Sequence, residues 1–478
     1  MVLWVFRTAV AALGILSAGH ALLFKRDPRA GLAWIAVCLF IPVAGPLTYW
    51  IFGVNRIQTR ARQYHARWSI LVDSSGESRA AGTGPSWDPR AAGMPGYLRP
   101  LVHTADAVTR RPLMPGNRVD PLFGGEACYP LMEEAIESAT DRVLLTTYIF
   151  DPDRTGTRII RALRRAIDRG VEVKVMLDGF GEWYSRPRVR GTLEELGVPY
   201  EVFLPFSLIR SRLHINLRNH RKILAVDGET GFTGGINISD RHLASDPGNA
   251  MPVQDVHFRL QGPVVQAMEQ AFLEDWAFVT GETYEPEPLA TPEENEPAVC
   301  RAISDGPNED FEKLQWILLG ALTTAREHVR IMTPYFVPDR VLIAALNSAA
   351  LRGARVEVVL PEENDHPAVD WASRAMLWEM LDRGVRFFYQ PPPFAHTKLF
   401  VLDQDYVLAG SANLDNRSLR LNFEFNVEIY DRRLAIRLGE YFDEVRDASR
   451  EVSLEEMDGR PLPQRLRDAG ARLFAPYL

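Results

Sequence analysis

One pattern, written twice, constrains this chain more than any other feature. His220, Lys222 and Asp227 are followed by Gly234, Gly235 and Asn237, and His396, Lys398 and Asp403 by Gly410, Ser411 and Asn413. His to Lys is 2 residues, His to Asp 7 and Asp to Asn 10 in both copies. Two matches at identical offsets mean an internal duplication. Residues 223–226 and 399–402 are apolar and β-favouring, so each copy reads as a buried strand. Residues two apart on a strand share a face, so each His projects with its Lys. The Gly-Gly or Gly-Ser pair lets a neighbouring backbone come close, and an Asn amide follows it. A lone histidine is more often a surface or hydrogen-bonded core residue. The duplicated set reverses that reading and predicts two His, two Lys and two Asn around one cleft.

The chemistry open to such a cleft is narrow. Neutral imidazole is a competent nucleophile toward phosphorus, and a partner imidazolium can act as general acid. Lysine and asparagine supply fixed donors where phosphate oxygens gain charge. No carboxylate cluster has metal-ligand spacing, so the site is expected to need no metal and no other cofactor. Cys38, Cys128 and Cys300 are scattered, which gives neither a disulfide framework nor a cysteine metal site. The net charge of −8 argues against a general nucleic-acid binder, whose affinity rests on phosphate contacts.

The amino-terminal region reads as a transmembrane hairpin, residues 1–55. Residues 30–54 carry no charge and include Trp34, Tyr49 and Trp50, enough to span a bilayer with aromatics near the headgroups. Pro42 and Pro46 would kink this span. Residues 8–24, between Arg7 and Lys25, form a second apolar run at the short limit, with His20 inside it. A cleavable signal, with small residues at 17–21, is the rival. Arg56, Arg60, Arg62 and Arg67 follow the second run and weigh slightly toward a cytoplasmic catalytic region. Residues 56–96, rich in Gly, Ser, Ala and Pro from 74 on, read as a flexible linker.

The rest alternates strand and helix patterns, in the same order twice. Strands are expected at 143–150, 171–177 and 200–204, then at 329–333, 356–360 and 385–389, with helices between them. That alternation argues an α/β fold with mostly parallel sheets, built as two pseudo-symmetric halves, 97–290 and 291–478. The boundary is expected in the Pro/Glu-rich stretch 281–297. Arginines are dense from 154 to 190 and again at Arg210, Arg212, Arg218 and Arg221. Most should lie on solvated faces, while those beside His220 could meet anionic headgroups.

The doubled His-x-Lys-x4-Asp, each copy followed by Gly-(Gly/Ser)-x-Asn, resembles the phospholipase D superfamily. The flanks, 216–222 and 410–418 running on to Asn422, Phe423 and Glu424, resemble bacterial cardiolipin synthases, as does the membrane segment 34–56. The resemblance covers nearly the whole chain. It implies a ping-pong phosphatidyl transfer through a phosphohistidine, two phosphatidylglycerols giving cardiolipin and glycerol. His220 would be nucleophile and His396 acid/base, although the symmetry of the motifs leaves that assignment open. The implied catalytic set is His220, Lys222, Asp227, His396, Lys398 and Asp403, within which the aspartates are expected to hold strand ends. Asn237 and Asn413 would bind the phosphate. The family places an orienting carboxylate after the second Asn, here Glu424, 28 residues after His396; Asp255, 35 after His220, is its weaker counterpart. Tyr148 and Tyr335, at matched strand ends, would border the cleft. From the residues alone, only phosphodiester transfer at a membrane follows. A lipid hydrolase, a phosphatidylserine synthase-like transferase, a nuclease and a non-catalytic scaffold stay open as alternatives. The oligomeric state is not legible.

Overall fold

The computed structural model describes residues 2–25, 28–54, 94–205, 218–282, 284, 297–306 and 312–475. Most of the expected linker, the arginines at 210 and 212 and most of the expected boundary stretch lie outside the described residues. The chain divides into two compact units, a small one with the amino-terminal helices and a large one with both motif copies.

In the small unit the second apolar run is broken where its prolines were expected to kink it. Helix α1, Val2–Phe24, has 23 residues, about 34 Å at 1.5 Å each, and its 4–24 portion is apolar and long enough to cross a bilayer. Helix α2, Pro28–Phe40, has only 13, about 20 Å. It stops because Pro42 has no N–H to give the preceding turn. The chain turns at Val43, φ 64°, and continues as the short helix α3, Ala44–Thr48. Gly45 allows this turn, since a Cβ there would lie 2.0 Å from the Val37 carbonyl oxygen. The polar groups of the first run are paired within the unit: His20 Nδ1 is 2.7 Å from the Tyr49 hydroxyl, and Trp50 Nε1 donates to Ser17 Oγ at 2.9 Å.

The large unit is built on one sheet. Its first strands are β1 (Met114–Phe123), β2 (Arg142–Thr147), β3 (Glu172–Asp178), β4 (Tyr200–Phe203), β5 (Ile223–Val226), β6 (Thr230–Gly234), β7 (Val253–Gln254) and β8 (Val256–Gln261). Then come β9 (Ala298–Asp305), β10 (His328–Met332), β11 (Phe336–Val337), β12 (Arg355–Pro361), β13 (Arg386–Gln390), β14 (Phe394–Ala395) and β15 (Leu399–Leu402). The last are β16 (Tyr406–Gly410), β17 (Leu414–Asp415), β18 (Glu424–Tyr430) and β19 (Arg450–Val452). The 15-stranded order is β19-β13-β12-β10-β15-β16-β18-β9-β1-β8-β6-β5-β2-β3-β4. Outward from the β9–β1 junction, the two directions meet corresponding strands in the same order.

Mostly parallel pairing does not hold. Ten of the fourteen contacts in this sheet are antiparallel and only β2–β3, β3–β4, β10–β12 and β12–β13 are parallel. The reason is local. Asp227, φ 54°, and Gly228, φ 66°, make a tight turn from β5 to β6, and Asp403, φ 51°, opens the matching turn from β15 to β16. So short a link can join only antiparallel strands. The central strands β1 and β9 were not expected at all: β1, with Pro115, Gly116 and Pro121, carries no strand-like alternation.

The motif strands are buried on both faces, which is why they read as continuous apolar runs. Leu399 and Val401 share a core with Ile223 and Ala225, against the helices Val264–Thr280 and Arg432–Asp447. Phe400 and Leu402 join the outer core of their own side, Leu224 and Val226 that of theirs. The strands are thereby fixed in register, since a slip of one residue would exchange the faces.

Candidate active site

Each histidine stands at the start of its motif strand and is buried, with its lysine buried two residues on. Their placement depends on a cross-connection. Asn219, just before His220, pairs in parallel with Phe423, just before Glu424. In β14–β7, Ala395, just before His396, pairs in parallel with Gln254, just before Asp255. His220 N donates to Phe423 O at 2.9 Å and His396 N to Gln254 O at 2.7 Å. The registers are equivalent, so each acid arrives beside the histidine of the other copy. His220 Nδ1 lies 3.0 Å from Glu424 Oε2, and His396 Nδ1 lies 2.7 Å from Asp255 Oδ2. The offsets of the acids, 28 and 35 residues after the histidine of their own copy, do not show this crossing.

The acids are held from behind. Ser411 Oγ donates to Glu424 Oε2 at 2.6 Å and Asn422 Nδ2 to Glu424 Oε1 at 3.1 Å. At the position matching Ser411 stands Gly235, where a Cβ would fall 2.3 Å from Asp255 Oδ1. The shorter Asp255 is seated against this bare backbone, and Val256 N donates to its Oδ1 at 2.8 Å.

Both lysines turn back on their own strands. Lys222 Nζ donates to His220 O at 2.9 Å and Lys398 Nζ to His396 O at 2.6 Å. Lys398 Nζ is also 2.9 and 3.0 Å from the two ring nitrogens of His396, so the ammonium sits over the ring. Burial, partly offset by Glu424, brings Lys222 down to about 7; burial, partly offset by Asp255, brings Lys398 down to about 8. Burial lowers His220 below the usual imidazole value against the pull of Glu424, and burial with the charge of Lys398 takes His396 well below it. Lys222 and His220 also act on His396, and Lys398 on His220, so the groups of both copies share one electrostatic environment. Burial would raise Glu424, but His220 and Lys222 hold it ionised; Asp255 is raised by burial.

Asn237 and Asn413 are held by opposite ends. Asn237 Oδ1 accepts from Ile149 N at 3.2 Å, whereas Asn413 Nδ2 donates to Ser418 Oγ at 3.2 Å and its buried Oδ1 meets no hydrogen-bond partner among the described residues. The Tyr148 ring is 5.0 Å from His220 and the Tyr335 ring 6.2 Å from His396.

Asp227 and Asp403, counted with the catalytic set by motif, sit at the other ends of β5 and β15, about 23 Å along the strand from their histidines. Asp227 accepts from the backbone N of Thr140, Asp141 and Arg142, and Asp403 from that of Arg326, Glu327 and His328. Each carboxylate clamps the start of β2 or β10. Arg221 does not face the cleft either. Its odd offset from His220 turns it to the other strand face, where Nη1 meets Asp275 Oδ2 at 2.5 Å and Nη2 donates to Ser304 Oγ at 2.6 Å.

Sequence reasoning missed His242 and His257. His257 Nδ1 accepts from Ile236 N at 3.3 Å and His242 Nε2 from Asn237 N at 3.2 Å, so both brace the Gly-Gly-x-Asn segment. Burial takes each down to about 3, which keeps them neutral acceptors. The offset of His257, two after Asp255, was a usable signal, because Asn426 stands two after Glu424 and its Oδ1 accepts from Ala412 N at 3.3 Å.

Among the described residues, His328, Glu357 and Asp443 come close enough to share an ion. Glu357 is paired with Arg386 and Arg446, and Asp443 with Arg330 and Arg446, so guanidinium groups already balance this cluster.

Comparison with known proteins gives the family. A family model described as cardiolipin synthase, PLD-like domain, matches residues 132–276 and 318–446. A second, described as phospholipase D-nuclease N-terminal, matches residues 12–53. Cardiolipin synthase A of Pseudomonas entomophila is 34% identical over 475 residues, covering 98% of this chain and 96% of that protein. Cardiolipin synthase A of Pseudomonas aeruginosa is 34% identical over 483 residues, covering 98% and 95%. Among solved structures, phosphatidylserine synthase of Haemophilus influenzae is 17% identical, with a TM-score of 0.61, and covers 79% of this chain and 100% of that one. That likeness is one of fold.

Proposed function

The chain belongs to the cardiolipin synthase family of phospholipase D-like proteins, and from that membership we propose that it transfers a phosphatidyl group from one phosphatidylglycerol to another, releasing glycerol. The observation that carries the reading is the crossed pairing: two buried imidazoles, each bound through Nδ1 to a carboxylate of the other copy. A carboxylate on Nδ1 leaves Nε2 of each ring for chemistry.

His220 Nε2 attacks the phosphorus; a P–N bond forms and the bond to the glycerol oxygen breaks. His396 gives that oxygen its proton. His396 then takes the proton of the acceptor's hydroxyl, whose oxygen displaces His220 and leaves cardiolipin. Burial keeps both imidazoles neutral in the empty cleft, and an anionic phosphate entering between them favours the protonated form of one. Lys222, Lys398 and Asn237 supply donors to the phosphate oxygens, and Asn413 Oδ1 is an acceptor left for an alcohol. The repeated strand order supports two pseudo-symmetric halves, 97–290 and 291–478, that share this one cleft.

The amino-terminal helices anchor the enzyme. Helix α1 exposes Trp4, Phe6, Ile15, Leu16, Leu22 and Leu23, as a lipid-facing helix would. The return of the chain through α2 as a second span, and a cytoplasmic catalytic region, are parts of the same reading; the latter rests on the arginines at 56, 60, 62 and 67.

Purified protein in phosphatidylglycerol vesicles should form cardiolipin and glycerol in equal amounts, with a chelator present. Phosphatidic acid as sole product would make it a hydrolase. No turnover, with nothing further lost in His396→Ala, would leave a non-catalytic scaffold.

A further inference from the structure

The last described helix, Leu462–Arg472, wears its apolar side outward. Leu462, Leu466, Leu473 and Phe474 are 66, 64, 80 and 64% exposed. The three leucines fall at i, i+4 and i+11, a single stripe at 3.6 residues per turn. The inward side carries the buried Asp468, which takes Arg460 Nη1 at 2.6 Å and Arg467 Nε at 2.9 Å, and the partly buried Ala471. A helix designed to face water would reverse this. Burying one leucine is worth about 1.5–3 kcal/mol, so leaving this stripe in water forgoes several times that. Arg465, exposed, and Arg472, half-buried, flank the stripe and complement an anionic surface.

The helix is linked to segments that lead into the cleft. Asn416, three residues after Asn413, donates through Nδ2 to Ala475 O at 3.2 Å. The helix packs on Pro367–Arg374, where Arg460 Nη2 donates to Arg374 O at 3.1 Å. That helix begins just after His366, whose ring is 5.4 Å from that of Tyr335, which in turn borders His396.

We propose that this helix is an interfacial anchor, laying Leu462, Leu466, Leu473 and Phe474 into the anionic leaflet from which the cleft draws its lipid. It rests on the membrane reading above and adds a second attachment, in the catalytic unit itself. The leucines enter the acyl boundary while Arg465 and Arg472 meet the headgroup phosphates, which holds the cleft mouth at headgroup depth.

The test uses the full chain with its own cysteines replaced by alanine, reconstituted in vesicles of phosphatidylglycerol and phosphatidylcholine. A bimane is attached at Leu466→Cys, at Leu473→Cys or, off the stripe, at Gln464→Cys. Lipids carrying a nitroxide on the acyl chain should quench the label at 466 and 473 about threefold or more beyond that at 464. Equal quenching at the three sites would overturn the proposal. So would a blue-shifted but unquenched label at 466, which would mean that protein, such as a second copy, covers the stripe. The readout needs no turnover, so a chain that formed no cardiolipin would still be judged by it.

Discussion

His220 and Glu424 lie 204 residues apart and share a 3.0 Å contact from Nδ1 to Oε2. The mirror contact, His396 to Asp255, spans 141 residues at 2.7 Å. Neither motif histidine is paired with a carboxylate of its own copy. Each copy supplies the acid that contacts the other copy's imidazole.

That crossing predicts a pattern of couplings. Asp255→Asn and Glu424→Gln should each lower kcat/KM between about 10- and 10⁴-fold, by loosening the tautomer and the ring's orientation. In double-mutant cycles, Asp255 should be strongly non-additive with His396, and Glu424 with His220. If the larger coupling ran between Asp255 and His220, the pairing would be wrong.

Gly235→Ala should damage catalysis more than stability. The added Cβ would sit 2.3 Å from Asp255 Oδ1, so the carboxylate must move away from His396. A displacement of about 1 Å is worth roughly 10²-fold in rate. Steady-state kinetics set beside a melting curve would check this; wild-type kcat would refute it.

Asp227→Ala should do the opposite. It removes the acceptor for three backbone N–H groups at the start of β2 and puts alanine at φ 54°, at a cost of about 1–3 kcal/mol. Asp227→Asn, which tolerates that backbone, should cost less. Burial would raise the Asp227 carboxyl, but those N–H groups outweigh it and hold its folded value low. Its contribution is therefore present above the unfolded value, about 3.9, and is lost as pH falls through the lower folded one. Denaturation at pH 7 and pH 3 would show a smaller difference between wild type and Asp227→Ala at the acid end.

The pH profile of kcat/KM should fall on its alkaline side as Lys222, at about 7, and Lys398, at about 8, lose the protons that face the phosphate. Lys398→Arg, which stays charged, should move that limb upward even if the maximum rate drops. An alkaline limb in the same place for Lys398→Arg and Lys222→Arg would assign it elsewhere.

The sequence alone determined what the cleft is made of. Identical offsets named both histidines, lysines and asparagines, because a strand's period of two and a tight turn's length are local properties that repeat when a segment is duplicated; the two acids, at unequal offsets, came only with the family resemblance. The apolar runs 223–226 and 399–402 likewise declared themselves buried strands. Only the tertiary structure decided who meets whom. The crossing of Glu424 to His220 and Asp255 to His396 depends on register between Asn219 and Phe423 and between Ala395 and Gln254, contacts that no local spacing encodes. The central strands β1 and β9 were decided the same way, since their pairing is settled by which backbone each finds beside it.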